Sequence, residues 1–417
     1  MVPKRYWLVF GTFLLSMLLY VDRACISSAK DAIAADLSFN DEQWGWIMGA
    51  FALGYALCQT PAGYLADRFG PRRLLSSVVA FWSLFTCLTG TAWGFVSMLT
   101  ARLLFGAGEA GAFPGCARAY YSWLPVSERG LAQGINFSGS RIGAAVAMPM
   151  IAWMIGMVGW RASFIALGVV GFAWAVFWFL WFRDEPTDHP SMTAEESDYI
   201  QKNRQQAGGD KEQQQLQVGT LLSSRNMWLA MGQYICSNFT FYFAITWSFP
   251  YLKRTFDLTD MQAAAYAALP LLCGAAGNWI SGFLVDRIYR ANKWTLSRRL
   301  PAIIGFLLAA FGLVGTQTVD SAGGYTLFLS IAILGADMTL SPSWAFCIDI
   351  GRSHAGTVSG TMNMAGNLAA FATTLAFPYI EKWAGTTTPY FLIAAALNLV
   401  AIVIWLMARP DKPLEEY

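Results

Sequence analysis

Charged residues inside apolar sequence are the first places to look for chemistry. The stretch YVDRACIS sets Asp22 beside Arg23 at the end of the run WLVFGTFLLSMLLYV. RLLFGAGEAGAFPG carries Arg102 and Glu109, and FSGSRIG carries Arg141. SIAILGADM carries Asp337. An ionised side chain at the centre of a membrane helix costs about 2.5–3.5 kcal/mol on insertion scales. A single one reads as a buried ion pair locking two helices. The set reads better as a polar pathway.

Spacing and residue type then suggest roles. Arg102 and Glu109 are seven residues apart, so they share a helix face, roughly 10 Å apart along the axis. Gly106, Gly108, Ala110 and Gly111 around them allow a close neighbour or a ligand. Asp22 and Arg23 point about 100° apart on a helix and need not pair with each other. Arginine matches a carboxylate with its planar fork and stays charged. A buried carboxylate can gain and lose a proton near neutrality. Asp22 and Glu109 are therefore proton-site candidates. Arg23 and Arg102 are anion-site candidates, with pairing to an acid the alternative for Arg102. Asp67, with Arg68, Arg72 and Arg73, lies at a helix end in GYLADRFGPRR and reads as an inter-helix gating latch. Asp286 and Arg287 repeat the pattern in GFLVDRIYR.

The elements that must hold these residues are membrane helices. Of 417 residues, 56% are hydrophobic and 13% charged, against about 25% charged in soluble proteins. The 18 tryptophans suit membrane interfaces. Twelve apolar runs approach the roughly 20 residues of a span: 7–27, 44–66, 74–93, 95–117, 131–158, 160–182, 226–252, 262–287, 300–317, 324–348, 355–380 and 387–408. The N-terminal run is long, has no small-residue cleavage site and reads as a retained helix. The fold class is all-α membrane protein, twelve helices in two six-helix bundles. The bundles are residues 1–185 and 226–417, joined by a polar, Gln-rich cytoplasmic linker over 186–225. Thr193 and Glu196 mark a short helix in that linker. The echo between the two Gly…Asp-Arg stretches is the internal symmetry of a repeat-built transporter. Lys and Arg favour the loops on the side of the termini by roughly three to one, which puts both termini in the cytoplasm.

The net charge of +2 argues against nucleic acid as a partner. Seven scattered cysteines without CxxC, and two histidines, give no metal set. No nucleophile–base pair or nucleotide loop supports an enzyme.

The six-plus-six layout and GYLADRFGPRR resemble the major facilitator superfamily. YVDRACIS, FALGYALCQTPAGYLADRFG, RLLFGAGEAGAFPG and WLPVSERG resemble its anion:cation symporter branch, which includes bacterial proton-coupled carriers of galactonate, glucarate and hexuronates. The resemblance covers most of the chain. It implies that Arg23, Tyr55 and Asn363 line the substrate site and that Asp22 and Glu109 couple protons. Trp344 and Ser343 fall beside that pocket. Sugar-acid members of the branch have a glutamine where this chain has Ser140, with Arg141 next to it. Arg141 is then either a second positive site favouring a dicarboxylate or the partner of an acid on a neighbouring helix. The expected function is import of a small organic anion, a sugar acid, with co-transported protons and no cofactor. The expected setting is a monomer in the lipid bilayer of the inner membrane. The alternatives are uniport or exchange of other small mono- or dicarboxylates without protons, and, outside carriers, a channel, a receptor or a membrane enzyme.

Overall fold

The computed structural model describes residues 2–205, 216 and 218–414. Among them regular structure is helical throughout, with no strand. The first part comprises α1 (Lys4–Ser28), α2 (Lys30–Leu37), α3 (Asp41–Phe69), α4 (Pro71–Gly90), α5 (Phe95–Glu109), α6 (Ala112–Trp123), α7 (Arg129–Trp181) and α8 (Ala194–Asn203). The second comprises α9 (Val218–Ser223), α10 (Arg225–Thr246), α11 (Ser248–Thr255), α12 (Asp260–Arg290), α13 (Trp294–Gly315), α14 (Ala322–Met338), α15 (Leu340–Gly351), α16 (Ala355–Ala384) and α17 (Thr388–Met407).

All twelve expected spans fall on helix. The boundary expected between 158 and 160 is a break inside α7 at Gly159, whose φ of 78° suits glycine. Two expected spans are interrupted within the chemistry-bearing sequence. α5 ends at Glu109 itself, and α14 ends one residue past Asp337. By length and apolar content alone, seven stretches qualify as membrane spans among the described residues, including α1, α4, α13 and α17. Large apolar side chains such as Trp153, Val169, Leu180, Phe371 and Leu406 stand exposed. Lipid covers such surface at no hydrophobic cost.

The chain forms two compact units. The first comprises Met1–Pro125, Ile142–Gln215 and Gly351–Thr361; the second comprises Val126–Arg141, Leu216–Ile350 and Met362–Tyr417. These limits differ from the expected halves in two segments. Val126–Arg141 groups with the second unit because Gly130 and Leu131 donate to Asp286, Arg129 binds Asp349, and Arg141 binds Asp337. Gly351–Thr361 groups with the first because Gly356 and Thr357 donate to Asp67.

In the first unit Val21, Cys25, Ile26, Ile47, Met98, Ile151 and Phe164 form a buried cluster. Glycines set the helix spacing. A Cβ on Gly54 would overlap the Leu103 carbonyl oxygen, and one on Gly106 the Phe51 carbonyl oxygen. α3 and α5 therefore touch backbone to backbone, which brings Phe51 against Arg102 and Phe105. The start of the expected linker is bound to this unit. Asp184 accepts from the Arg72 N–H at 2.8 Å at the start of α4. Thr193 caps α8 through the Glu196 N–H. The Glu196 carboxylate in turn caps α1, accepting from the Lys4 and Arg5 N–H groups at 2.9 and 3.1 Å. The Gln-rich stretch at 206–215 lies outside the described residues.

The second unit is built around Phe243, Leu313, Tyr325, Leu329, Phe377, Tyr390 and Phe391. Its α12 matches α3 of the first unit feature by feature. Both start with a capping box, Asn40 with Gln43 and Thr259 with Gln262. Both hold an internal proline, Pro61 and Pro270. Both carry, near their C-terminal end, a glycine four residues before an aspartate, Gly63 to Asp67 and Gly282 to Asp286.

Gly106→Val is expected to cost about 1–3 kcal/mol through overpacking. The readout is a lowered thermal midpoint of the detergent-purified protein. Gly156→Val, where no atom lies within 4 Å of the added Cβ, is the control with an unchanged midpoint.

Candidate functional site

Five of the expected residues converge in the first unit. The Arg23 side chain leaves α1 and donates through Nε to Glu109 Oε2 at 2.7 Å. Glu109 is fully buried, and the Arg23 side chain is 17% exposed. Tyr55 of α3 places its ring 4.3 Å from the Arg23 guanidinium carbon, with Tyr20 and Phe51 farther out at 5.1 and 5.2 Å. An aromatic cage of this kind stabilises a cation through the ring quadrupoles without neutralising it.

Arg102 is held differently. It is buried, and its guanidinium lies 4.3 Å from the Phe105 ring and 5.1 Å from Phe51. It forms no ion pair among the described residues, so the alternative of an acid partner is not realised here. Asp22 turns away from Arg23, as its position on the helix requires, and accepts from the Trp82 indole N–H of α4 at 3.2 Å. Its other oxygen and Glu109 Oε1 are buried without a hydrogen-bond partner among the described residues. With all four groups ionised, the two arginines and two acids cancel. One added proton leaves a net positive site, which suits a single carboxylate.

The remaining expected residues lie in the second unit. Arg141 is paired with an acid: Nε and Nη2 donate to the two oxygens of Asp337 at 2.7 and 2.6 Å. Ser140 donates to the Phe137 carbonyl oxygen and accepts from Arg141 Nη1 at 3.3 Å. Trp344 packs on Phe137 and donates from its indole to the Tyr234 hydroxyl at 3.2 Å. Ser343 bonds the Gln233 carboxamide at 3.0 Å. Asn363 accepts from Asn367, whose Oδ1 takes the Tyr242 hydroxyl at 2.9 Å. This polar ladder joins α10 to α16.

The expected gating residues divide by charge sign. The two acids make the contacts. Asp67 accepts from the Gly356 and Thr357 N–H groups at 2.8 and 2.7 Å and from the Thr357 hydroxyl at 2.6 Å. Asp286 accepts from Gly130 and Leu131 N–H groups at 2.8 and 2.9 Å. Each carboxylate thus caps the start of a helix, α16 and α7, where the helix dipole favours negative charge. The glycine four residues earlier admits the partner: a Cβ on Gly63 would strike the Gly356 carbonyl oxygen, and one on Gly282 would lie 2.7 Å from that of Gly130. Arg68 and Arg287 lie over Phe69 and Phe283. Arg72 donates to the Phe179 carbonyl oxygen at 2.8 Å, and Arg73 is exposed.

Sequence reasoning missed Trp82, Phe241, Tyr234, Tyr242 and Asn367 as partners, and the double pairing of Asp349 with Arg129 and Arg298 at 2.9 and 2.8 Å. No sequence signal singles out one buried tryptophan among 18. Arg129 and Asp349 lie near helix ends, and nothing in the sequence links residues 220 positions apart.

The Major Facilitator Superfamily profile matches residues 12–374. Along its full length the chain is 31% identical to the probable sulfoacetate transporter SauU of Cupriavidus necator, covering 97% of that protein. It is 32% identical to the probable galactarate/D-glucarate transporter GudP of Bacillus subtilis, over 97% of this chain and 91% of the relative. Among solved structures, the proton:xylose symporter XylE shares the fold with a TM-score of 0.76 at 14% identity, over 99% of this chain and 98% of that one. The human organic anion transporter TETRAN does so with a TM-score of 0.72 at 15% identity, over 97% of this chain and 100% of that one. A helical chain with this family match and these relatives belongs to the Major Facilitator Superfamily, as a multi-pass membrane transporter and not an enzyme.

Proposed function

We propose that this transporter imports a small organic anion, a sugar acid such as galactonate, glucarate or a hexuronate, together with protons. The observation that carries the reading is the buried Arg23–Glu109 pair inside its aromatic cage. Substrate carboxylate and Glu109 compete for one guanidinium. Once displaced, Glu109 loses its hydrogen-bonded counter-charge and, as a buried carboxylate, takes up a proton. Asp22, whose hydrogen bond among the described residues comes from an indole N–H, is the second proton carrier in the same unit. Arg102 adds positive potential, and Tyr55 presents a hydroxyl near the bound anion. The sulfoacetate and galactarate/D-glucarate carriers among the relatives support an acid as the cargo. The Lys and Arg bias supports cytoplasmic termini, and the reading takes the protein as an inner-membrane monomer.

The first test is thermal stability of the purified protein against a panel of organic acids. A ligand at about 100 times its Kd stabilises by roughly 2.7 kcal/mol. A shift with a sugar acid that vanishes in Arg23→Gln is expected. Silence of the whole panel on folded protein would remove the sugar-acid reading. In proteoliposomes, Glu109→Gln is expected to abolish accumulation driven by a pH gradient while counterflow exchange persists. Accumulation untouched by Glu109→Gln would favour uniport or exchange without protons.

Asp67 and Asp286 act as latches that release two helix starts during alternating access. Asp286→Asn is expected to weaken its cap by about 1 kcal/mol. Asp286→Ala is expected to cost more, because two N–H groups then lose their acceptor, at about 1–3 kcal/mol each. Thermal midpoints should fall in the order wild type, Asn, Ala, with uptake slowed in both variants. Equal midpoints would exclude the latch.

A further inference from the structure

The two buried acids around Arg23 are held alike. Asp22 Oδ2 accepts from the Trp82 indole N–H at 3.2 Å. Glu109 Oε2 accepts from Arg23 Nε at 2.7 Å. The other oxygen of each, Asp22 Oδ1 and Glu109 Oε1, is buried without a hydrogen-bond partner among the described residues. In both acids one oxygen faces a group that only donates, and the other stands open. Trp82 is itself fully buried, and the Thr86 hydroxyl donates to its carbonyl oxygen at 3.1 Å. A Cβ on Gly108 would lie 3.1 Å from the Trp82 backbone nitrogen and from its Cβ. Gly108 precedes Glu109, so the contact of α4 with α5 that seats the indole also seats the second acid. The other titratable or charged groups that act on Asp22 are Glu109 and Arg102 of α5, Cys87 of α4 and Cys25 of α1. None of these is hydrogen-bonded to it among the described residues.

We propose that Trp82 is a positioning residue for proton loading: its indole holds Oδ2 of Asp22 and confines an arriving proton to Oδ1. The inference rests on the proton-coupled reading above and adds the atom that takes the proton. An indole nitrogen donates and cannot accept. A proton on Oδ2 would oppose the N–H, and the hydrogen bond would be lost. A proton added to a lone pair of Oδ1 leaves Oδ2 as the carbonyl oxygen of a neutral acid, still accepting from the indole. The bond survives in both states but is stronger to the carboxylate, because a charged acceptor strengthens a hydrogen bond. The indole therefore favours the ionised form and promotes release of the proton. Asp22 forms no ion pair among the described residues, so this one contact sets how firmly the proton is held. Packing alone would not need the N–H, since a ring of the same shape without it would fill the same space.

Infrared spectroscopy of the purified full-length protein tests this without transport. The C=O stretch of protonated Asp22 is identified as the band lost in Asp22→Asn, and its amplitude is followed against pH. In Trp82→Phe the pH of half-amplitude is expected to rise by roughly one to two pH units, because the ionised form loses a charge-assisted bond. The band is also expected to move to higher wavenumber, because its oxygen no longer accepts a hydrogen bond. Should Trp82→Phe fail to fold, β-(3-benzothienyl)alanine at the same position keeps the shape without the N–H, and the same two shifts are expected. An unmoved wavenumber would put the proton on Oδ2, and an unmoved half-amplitude would remove the positioning role; either overturns the proposal. Accumulation in proteoliposomes separates it from the reading on which it rests. If Asp22→Asn keeps accumulation driven by a pH gradient while both band shifts occur, the assignment of Oδ1 and Trp82 stands and Asp22 falls as a proton carrier. If Asp22→Asn abolishes accumulation while neither shift occurs, Asp22 stands and Trp82 falls. Absence of an Asp22 band at every pH at which the protein is folded overturns both.

Discussion

A guanidinium cannot be left bare in a low-dielectric interior, and this constraint organises much of the molecule. Arg23, Arg102, Arg129, Arg141 and Arg298 are all wholly or largely buried. Glu109, Asp337 and Asp349 answer four of them, and aromatic faces answer the fifth. Each answer fixes a helix–helix contact: α1 to α5, α7 to α14, and α7 and α13 to α15. The glycines follow from the same demand. Gly54 and Gly106 let α3 close on α5 and set Phe51 against the Arg102 guanidinium, and a Cβ on Gly274 would overlap the Asp337 carboxylate.

Carboxylates do a second job at the helix starts. Asp67 and Asp286 accept from helix-start N–H groups that have no acceptor within their own helix. In both cases the acceptor and the accepted helix come from opposite halves of the sequence. This is why the compact units exchange Val126–Arg141 and Gly351–Thr361 relative to a division at the linker. Repetition of the device in α3 and α12, with cap, proline, glycine and aspartate in the same order, points to one ancestral design used twice.

The sequence made the charges legible because charge is rare in apolar runs: Asp22, Arg23, Arg102, Glu109, Arg141 and Asp337 stand out on inspection. The helices and the break at Gly159 were legible for the same reason, through hydropathy and a glycine at the right place. What could not be read was pairing. Arg141 meets Asp337 across 196 residues, and the sequence allowed a ligand or an acid there with equal ease. Trp82 and Phe241 were invisible because aromatic residues fill a membrane protein everywhere and only contact tells which ones matter. Glu196 was seen as a cap for its own helix, and its use as the cap of α1 is long-range.

Buried ion pairs are poor glue. Desolvation of both partners offsets most of their attraction, so replacing them with apolar side chains is often neutral. That near-balance is a disadvantage for a static scaffold and an advantage for a carrier. A strongly favourable pair would hold its own carboxylate against any substrate, and a strongly unfavourable one would not fold. Between these limits, an incoming carboxylate of equal geometry could exchange with Glu109 at little cost, which is the exchange proposed at Arg23. The features that look wasteful as structure, charges in oil held by single partners, are those on which the proposed mechanism depends.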